Sequence, residues 1–157
     1  MIDGRGGPLS QPVPEFKKTS IILMVILTFV TAGIYWPVWF MTRRKAINAM
    51  QAEEKLGSVV FVLAIVLFVI SLFVAVLAGV MERVGDELLL AKAMQAFSAI
   101  LHAVAAAAVL VQSFKVRRIF HEHFNVHLQQ GISFSRVATF CLIIYYLQYK
   151  MNRIGPP

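Results

Sequence analysis

One cysteine, Cys141, stands in the whole chain of 157 residues, so no disulfide can close within it and no cysteine cluster can hold a metal. Acid is scarce as well. Eight Asp and Glu face fifteen Lys and Arg, a formal net charge of +7, and none of the eight lies inside an apolar run. The paired carboxylates that general acid–base chemistry uses are therefore missing where a pocket would form. No Ser/His/Asp order and no glycine-rich nucleotide loop takes their place. Neither an enzyme nor a bound cofactor is expected. The basic residues are not interleaved with stacking aromatics along one face, which removes nucleic acid as the expected partner.

Glycine and proline are also few, and three of each gather in residues 1–15. That stretch has almost no large apolar side chains to offset its ordering entropy, so it is expected to be a disordered N-terminal tail. Residues 16–154 then form a single helical domain, with 155–157 as a short C-terminal tail.

What is abundant is hydrophobic sequence, 59% of the chain, against roughly 45–50% in soluble domains. It collects in four runs, near 20–41, 59–80, 93–113 and 137–149. The runs 59–80 and 93–113 exceed the ~18 residues that mark a spanning helix and contain no Asp, Glu, Lys or Arg. The expected fold class is an all-α integral membrane protein, a small helical bundle. The first run does not read as a secretory signal: it is long, lacks a small-residue cleavage site and ends in Arg43-Arg44-Lys45.

The first run is interrupted. Thr31, Gly33 and Pro37 break what would otherwise be one helix, and Tyr35, Trp36 and Trp39 follow the break with side chains that favour a membrane interface. A re-entrant hairpin fits both features, with half-helices at 20–30 and 34–45 around a turn at 31–33; a single kinked span is the alternative. Hydroxyls of Thr28, Thr31 and Tyr35 would satisfy backbone carbonyls freed by the break or line a cavity. A polar helix over 42–55 is expected next, stopped by Gly57, with Ser58 capping the span that follows. Residues 81–87 form a tight connection in which Gly85 turns the chain and Asp86 caps the next helix. Ala96, Ala99, Ala103, Ala106 and Ala107 give the third run a small-residue face expected to pack on the second.

Residues 115–130 read as a separate amphipathic helix in the interface, with Val116, Ile119, Phe120, Phe124 and Leu128 on one side and Arg117, Arg118, His121, Glu122 and Asn125 opposite. The last run holds 13 residues between Arg136 and Lys150, about 20 Å of helix and short of a ~30 Å core. It is expected to be a second partial segment. Charge favours that layout. With two full spans and two partial segments, 13 of the 15 basic residues share one side; with four spans they divide 7 to 8. The positive-inside rule selects the two-span arrangement, with both termini cytoplasmic, and leaves four spans as the alternative. A faint internal echo agrees: Ile34-Tyr35-Trp36 leads to Trp39 and Lys45, and Ile144-Tyr145-Tyr146 leads to Tyr149 and Lys150.

The stretch Leu27-Thr28-Phe29-Val30-Thr31-Ala32-Gly33-Ile34-Tyr35, followed by Trp39 and Asn48, pairs with a later Tyr146-Leu147-Gln148-Tyr149-Lys150-Met151-Asn152. Between them lie Phe114-Lys115-Val116-Arg117 and Glu122-His123-Phe124-Asn125. Together these resemble the bacterial membrane family catalogued as domain of unknown function 4234, over most of residues 17–154. Trp36-Pro37 departs from that family's usual continuation. The resemblance implies a small multi-pass protein of the bacterial inner membrane with no assigned activity, and it carries over no catalytic residues.

Four polar residues near the middle of the two long apolar runs form a candidate site: His102, Ser71, Ser98 and Gln95. An ionisable group at that depth is a functional candidate. A neutral His102 joining helices through Ser71 or Ser98 is the plainer account, and a proton relay or substrate contact the bolder one. His123 and His127 have the i, i+4 spacing of a metal pair, but His121 points away and no third ligand is evident, so no metal is expected. Arg43, Arg44, Lys45, Lys115, Arg117 and Arg118 are expected to anchor the chain to anionic lipid. The expected role is a non-enzymatic scaffold or accessory subunit that binds lipid or partner membrane proteins. The alternative is a small transporter or channel built from homo-oligomers, using the broken first segment and His102.

Overall fold

The computed structural model describes residues 18–85, 87–129 and 131–154. The expected tails at 1–15 and 155–157, and the capping role given to Asp86, lie outside the described residues. The described residues are all-helical: α1 (Ile21–Val30), α2 (Tyr35–Asn48), α3 (Val59–Val84), α4 (Leu88–His121) and α5 (Arg136–Ile154), with a π-helical turn at Glu122–His127.

α3 and α4 are long and apolar enough to cross a membrane. They pair antiparallel through small residues. Ser71 and Ser98 face each other, each hydroxyl donating to the other residue's carbonyl at 3.0 and 2.8 Å. The same register sets Ala64 opposite Ala105 and Ala78 opposite Ala91, all four buried. The layers recur every seventh residue, the period that keeps two helices in contact along a left-handed seam. The alanine face expected to make this contact does not: Ala96, Ala99, Ala103 and Ala107 are exposed, and the seam runs instead through Ala91, Ser98 and Ala105. The observed face is set by the helical phase that brings Ser98 to Ser71, because two hydroxyls in an apolar setting must find partners.

The first broken segment folds back on itself. Thr31 holds the break: its hydroxyl donates to Leu27 O at 2.7 Å, a carbonyl that also accepts the Thr31 N–H, and accepts the Tyr35 N–H at 3.0 Å, serving an open amide of α2. Ala32 and Gly33 turn the chain with φ of 47° and 90°. A Cβ on Gly33 would lie 3.1 Å from the Phe68 ring. Pro37 is not a breaker here. It sits in the first turn of α2, where a missing N–H costs no helical bond. The two ends of the hairpin meet where Arg43 Nη2 donates to Thr19 Oγ1 at 2.6 Å.

The chain folds back a second time inside α5, at Ile143 (φ 43°, ψ −117°). Tyr146 Oη accepts the Ser135 N–H at 2.9 Å, and Lys150 Nζ lies 5.7 Å above the Phe134 ring, contacts that a straight helix forbids. The returning arm, 144–154, runs parallel to α2. Trp36 Nε1 donates to Tyr145 Oη and Trp39 Nε1 to Gln148 Oε1, both across a separation of 109 residues. The echo seen between these stretches is thus a spatial pairing. Asn152 completes it by donating to Thr19 O at 2.9 Å.

Two further expectations change. α2 ends at Asn48, not near Gly57, because the Asn48 side chain bonds both Leu56 N and Leu56 O and closes the loop early. Residues 115–121 form no separate interfacial helix but continue α4 unbroken. Val116, Ile119, Phe120 and Phe124 are buried against Met50, Leu56 and Phe134 in the protein's own core. That core occupies one half of the α3–α4 pair. Beyond Ser71, α3 keeps only Ala78 buried, while Phe73 and Val80 are 63% and 53% exposed.

Candidate functional site

The apolar-run residues singled out by sequence, Ser71, Gln95, Ser98 and His102, line one groove of about 480 Å³. It opens where the hairpin tip at Ala32 stops against α3 and α4, and Leu72, Ala75, Ala99 and Ala103 complete its wall. The four do not act as one network. Ser71 and Ser98 spend their hydroxyls on each other and on each other's carbonyls. Gln95 Nε2 donates to Glu82 Oε2 at 2.9 Å, an acid in the last turn of α3, which runs on to Val84 through half of the connection expected at 81–87. His102 does not bond Ser71 as expected. It stands edge-on to Phe68, ring centroids 4.8 Å apart, one turn past Ser98.

Phe68 organises this end of the groove. It receives Gly33 at its ring edge, Trp36 at 6.3 Å and His102 at 4.8 Å. Nothing in the sequence marked it among twelve phenylalanines. Its position ten residues into α3, level with the glycine turn, is the signal that could have found it. The hydroxyls of the broken segment serve backbone: Thr28 donates to Met24 O and Thr31 to Leu27 O.

The basic residues separate into different roles. Arg43 is not a surface anchor. It is 7% exposed, lies 4.9 Å over the Trp39 ring, and bonds the Thr19 and Thr42 hydroxyls. A guanidinium buried with hydroxyls and an aromatic face acts as a clasp between the hairpin ends. Arg44 Nε caps the Leu56 carbonyl, and Arg117 Nε caps that of Phe134. Arg118 pairs with Glu54 at 2.9 Å. Lys45 is exposed and Lys115 half-buried.

His123 and His127 turn to different neighbours. His123 Nδ1 accepts the Gln51 N–H at 3.2 Å, whereas His127 Nε2 lies 3.9 Å from Glu122. Among the described residues no three His, Cys, Asp or Glu groups are placed to share a metal ion. His123 is buried beyond the apolar part of α4. Burial first, then the nearby charges of His127 and Lys55, hold its imidazole below the usual histidine range and keep it neutral.

Comparison with curated proteins and with solved structures found no match to the chain. A family model for a domain of unknown function, DUF4234, matches residues 19–154, which takes in both broken hairpins, the long helix pair and the groove between them. The chain belongs to that family.

Proposed function

We propose that this chain is a multi-pass protein of a bacterial inner membrane, without enzymatic activity, that serves as a scaffold for another membrane helix. In this reading α3 and α4 cross the bilayer. The two broken hairpins enter from the cytoplasmic face and stop part-way, with both termini cytoplasmic. The groove at Ala75, Ala99 and Ala103 is the observation that carries the proposal. Its floor is closed by the Ser71–Ser98 pairing, so it offers no polar route between the helices. Its rim is alanine, which admits close approach of a second helix in lipid, and His102 and Gln95 flank it as hydrogen-bonding groups.

The test is the size of the assembly in mild detergent. Wild-type protein is expected to run as a complex larger than its own 17.6 kDa chain. Ala99→Leu with Ala103→Leu is expected to release it while leaving helix content unchanged. A wild-type chain that purifies alone as a monomer would refute the scaffold. Topology is checked separately in a Cys141→Ser background. Single cysteines at Gln51 and Glu82, treated in whole cells with an impermeant thiol reagent, should label at 82 alone.

A second reading, an oligomeric transporter or channel, draws on one observation: the hairpin tip at Ala32 and His102 share the groove. In that case His102→Ala would alter proton or ion flux in liposomes. Unchanged flux removes it.

A further inference from the structure

A second cavity lies away from the groove, where the end of α4, the π-helical turn and the start of α5 converge. It measures about 330 Å³ and is lined by Arg117, Arg118, His121, Glu122, Val126 and Arg136. Three arginines in one wall repel one another, and a fold keeps such a group together at a cost unless an anion joins it. Two nearby acids offset only part of that charge. Glu54 serves Arg118 from outside the pocket. Glu122, itself in the pocket wall, accepts the Glu53 N–H through Oε1 at 3.0 Å and lies 3.9 Å from His127, so three guanidiniums face two carboxylates.

The remaining donors are free for a ligand. Arg117 is fixed through Nε to the Phe134 carbonyl, which orients its guanidinium and leaves the terminal N–H groups unused among the described residues. Arg136 has no hydrogen-bond or ion-pair partner among the described residues and is exposed. His121 adds a ring nitrogen at the same wall. A guanidinium reaches two oxygens of a phosphate with two parallel N–H groups, and the tetrahedral group leaves further oxygens for a second guanidinium.

We infer that this pocket is a phosphate site, formed by Arg117, Arg136 and His121 and taking a phosphate mono- or diester. The phosphate comes from a phospholipid headgroup or from a soluble phosphorylated molecule. Its level in the chain suits a headgroup. Arg117 stands four residues past the apolar run ending at Ser113, and Arg136 directly precedes the run that begins at Val137. Val126, Val137 and Phe140 are exposed beside it, at 60%, 73% and 59%. Apolar surface around a cationic pocket places acyl chains and phosphate together. The site is separate from the Ala99 groove, so it stands or falls independently of the scaffold.

The experiment uses the full chain in mild detergent, with native mass spectrometry counting retained phosphatidylglycerol against phosphatidylcholine. Inorganic phosphate and glycerol 3-phosphate are titrated in parallel by calorimetry. Arg136→Gln is the primary variant, because Arg136 makes no structural bond. Arg117→Gln is added where helix content is preserved. A control removes equal charge from the same end of the bundle: Lys18→Gln against Arg136→Gln, and Lys18→Gln with Arg153→Gln against the double variant. One tightly held phosphatidylglycerol is expected, weakened about tenfold by Arg136→Gln, partly restored by Arg136→Lys, and unmoved by the control. Glycerol 3-phosphate that binds and displaces the lipid, with the same response to Arg136→Gln, supports the site with a soluble source. Equal loss in the control, or no difference between the two lipids together with no heat from either phosphate, overturns the inference.

Discussion

The chain turns back on itself at residues 31–34 and again at Ile143, and the two turns are built by different means. The first is made locally. Thr31 bridges the two helix ends with one hydroxyl, Gly33 N–H donates to Thr28 O at 2.9 Å, and a glycine occupies the most strained position at φ 90°. The second puts a β-branched isoleucine at φ 43°, where an L side chain is strained. Its support comes from distant parts of the chain: Trp39 on Gln148, Thr19 on Asn152, and the Phe134 platform under Lys150. A turn held by its own residues forms wherever the segment goes. A turn held by partners exists only once those partners are assembled, and strain of about 1–3 kcal/mol is the measure of what they must supply.

Breaking the first turn should have the largest effect. Gly33→Val combines an unfavourable φ with a Cβ 3.1 Å from the Phe68 ring, and is expected to destabilise by about 3 kcal/mol in denaturant titration. A loss under about 1 kcal/mol would mean the hairpin tip is not seated on Phe68. Removing one tie of the second turn should cost less. Trp39→Phe keeps most of the buried ring but loses the 3.0 Å bond to Gln148, for an expected loss of about 1–2 kcal/mol. Trp36→Phe, at a longer 3.3 Å contact, should cost less than Trp39→Phe in the same assay.

The platform beneath the second turn can be loosened by pH. His123 packs on Phe124, which meets Phe134. Its folded pKa is lowered by burial, so as pH falls through about 6.5 the unfolded chain takes a proton that the folded chain resists. Stability should therefore fall as pH drops from about 7.5 toward 5.5, and His123→Gln should flatten that slope. The smallest effect belongs to the second turn itself. Ile143→Gly relieves the strained φ while giving up a half-buried side chain, and the two are expected to cancel within about 1 kcal/mol. A glycine that strongly destabilises this position would show that packing, not backbone strain, sets the fold-back.

Much of the first turn was legible in the sequence because its causes are local: Thr31, Gly33 and the aromatics Tyr35, Trp36 and Trp39 fall within nine residues. The bounds of α1 and α2 at the break fall within one residue of those expected. Pro37 misled, since a proline in the first turn of a helix looks the same in sequence as one that breaks it. The second turn carried no glycine or proline, and only its shortness between Arg136 and Lys150 hinted that it could not run straight. The four residues of the groove were legible as polar groups in apolar sequence, but not their partners. Periodicity alone could not say which of two small-residue stripes on α4 would meet α3, since both repeat at helical spacing.

By itself the sequence determined that two long apolar helices form and that the first run breaks near Gly33. These follow from composition, run length and residues whose backbone preferences act locally. Tertiary structure decided the rest. It chose the Ser71–Ser98 seam over the alanine face, buried Arg43 under the hairpin, folded α5 at Ile143 and brought Arg117 to Arg136. Each of those depends on satisfying polar groups across 24 or more residues of chain or on joining separate elements, and no local preference encodes such pairings.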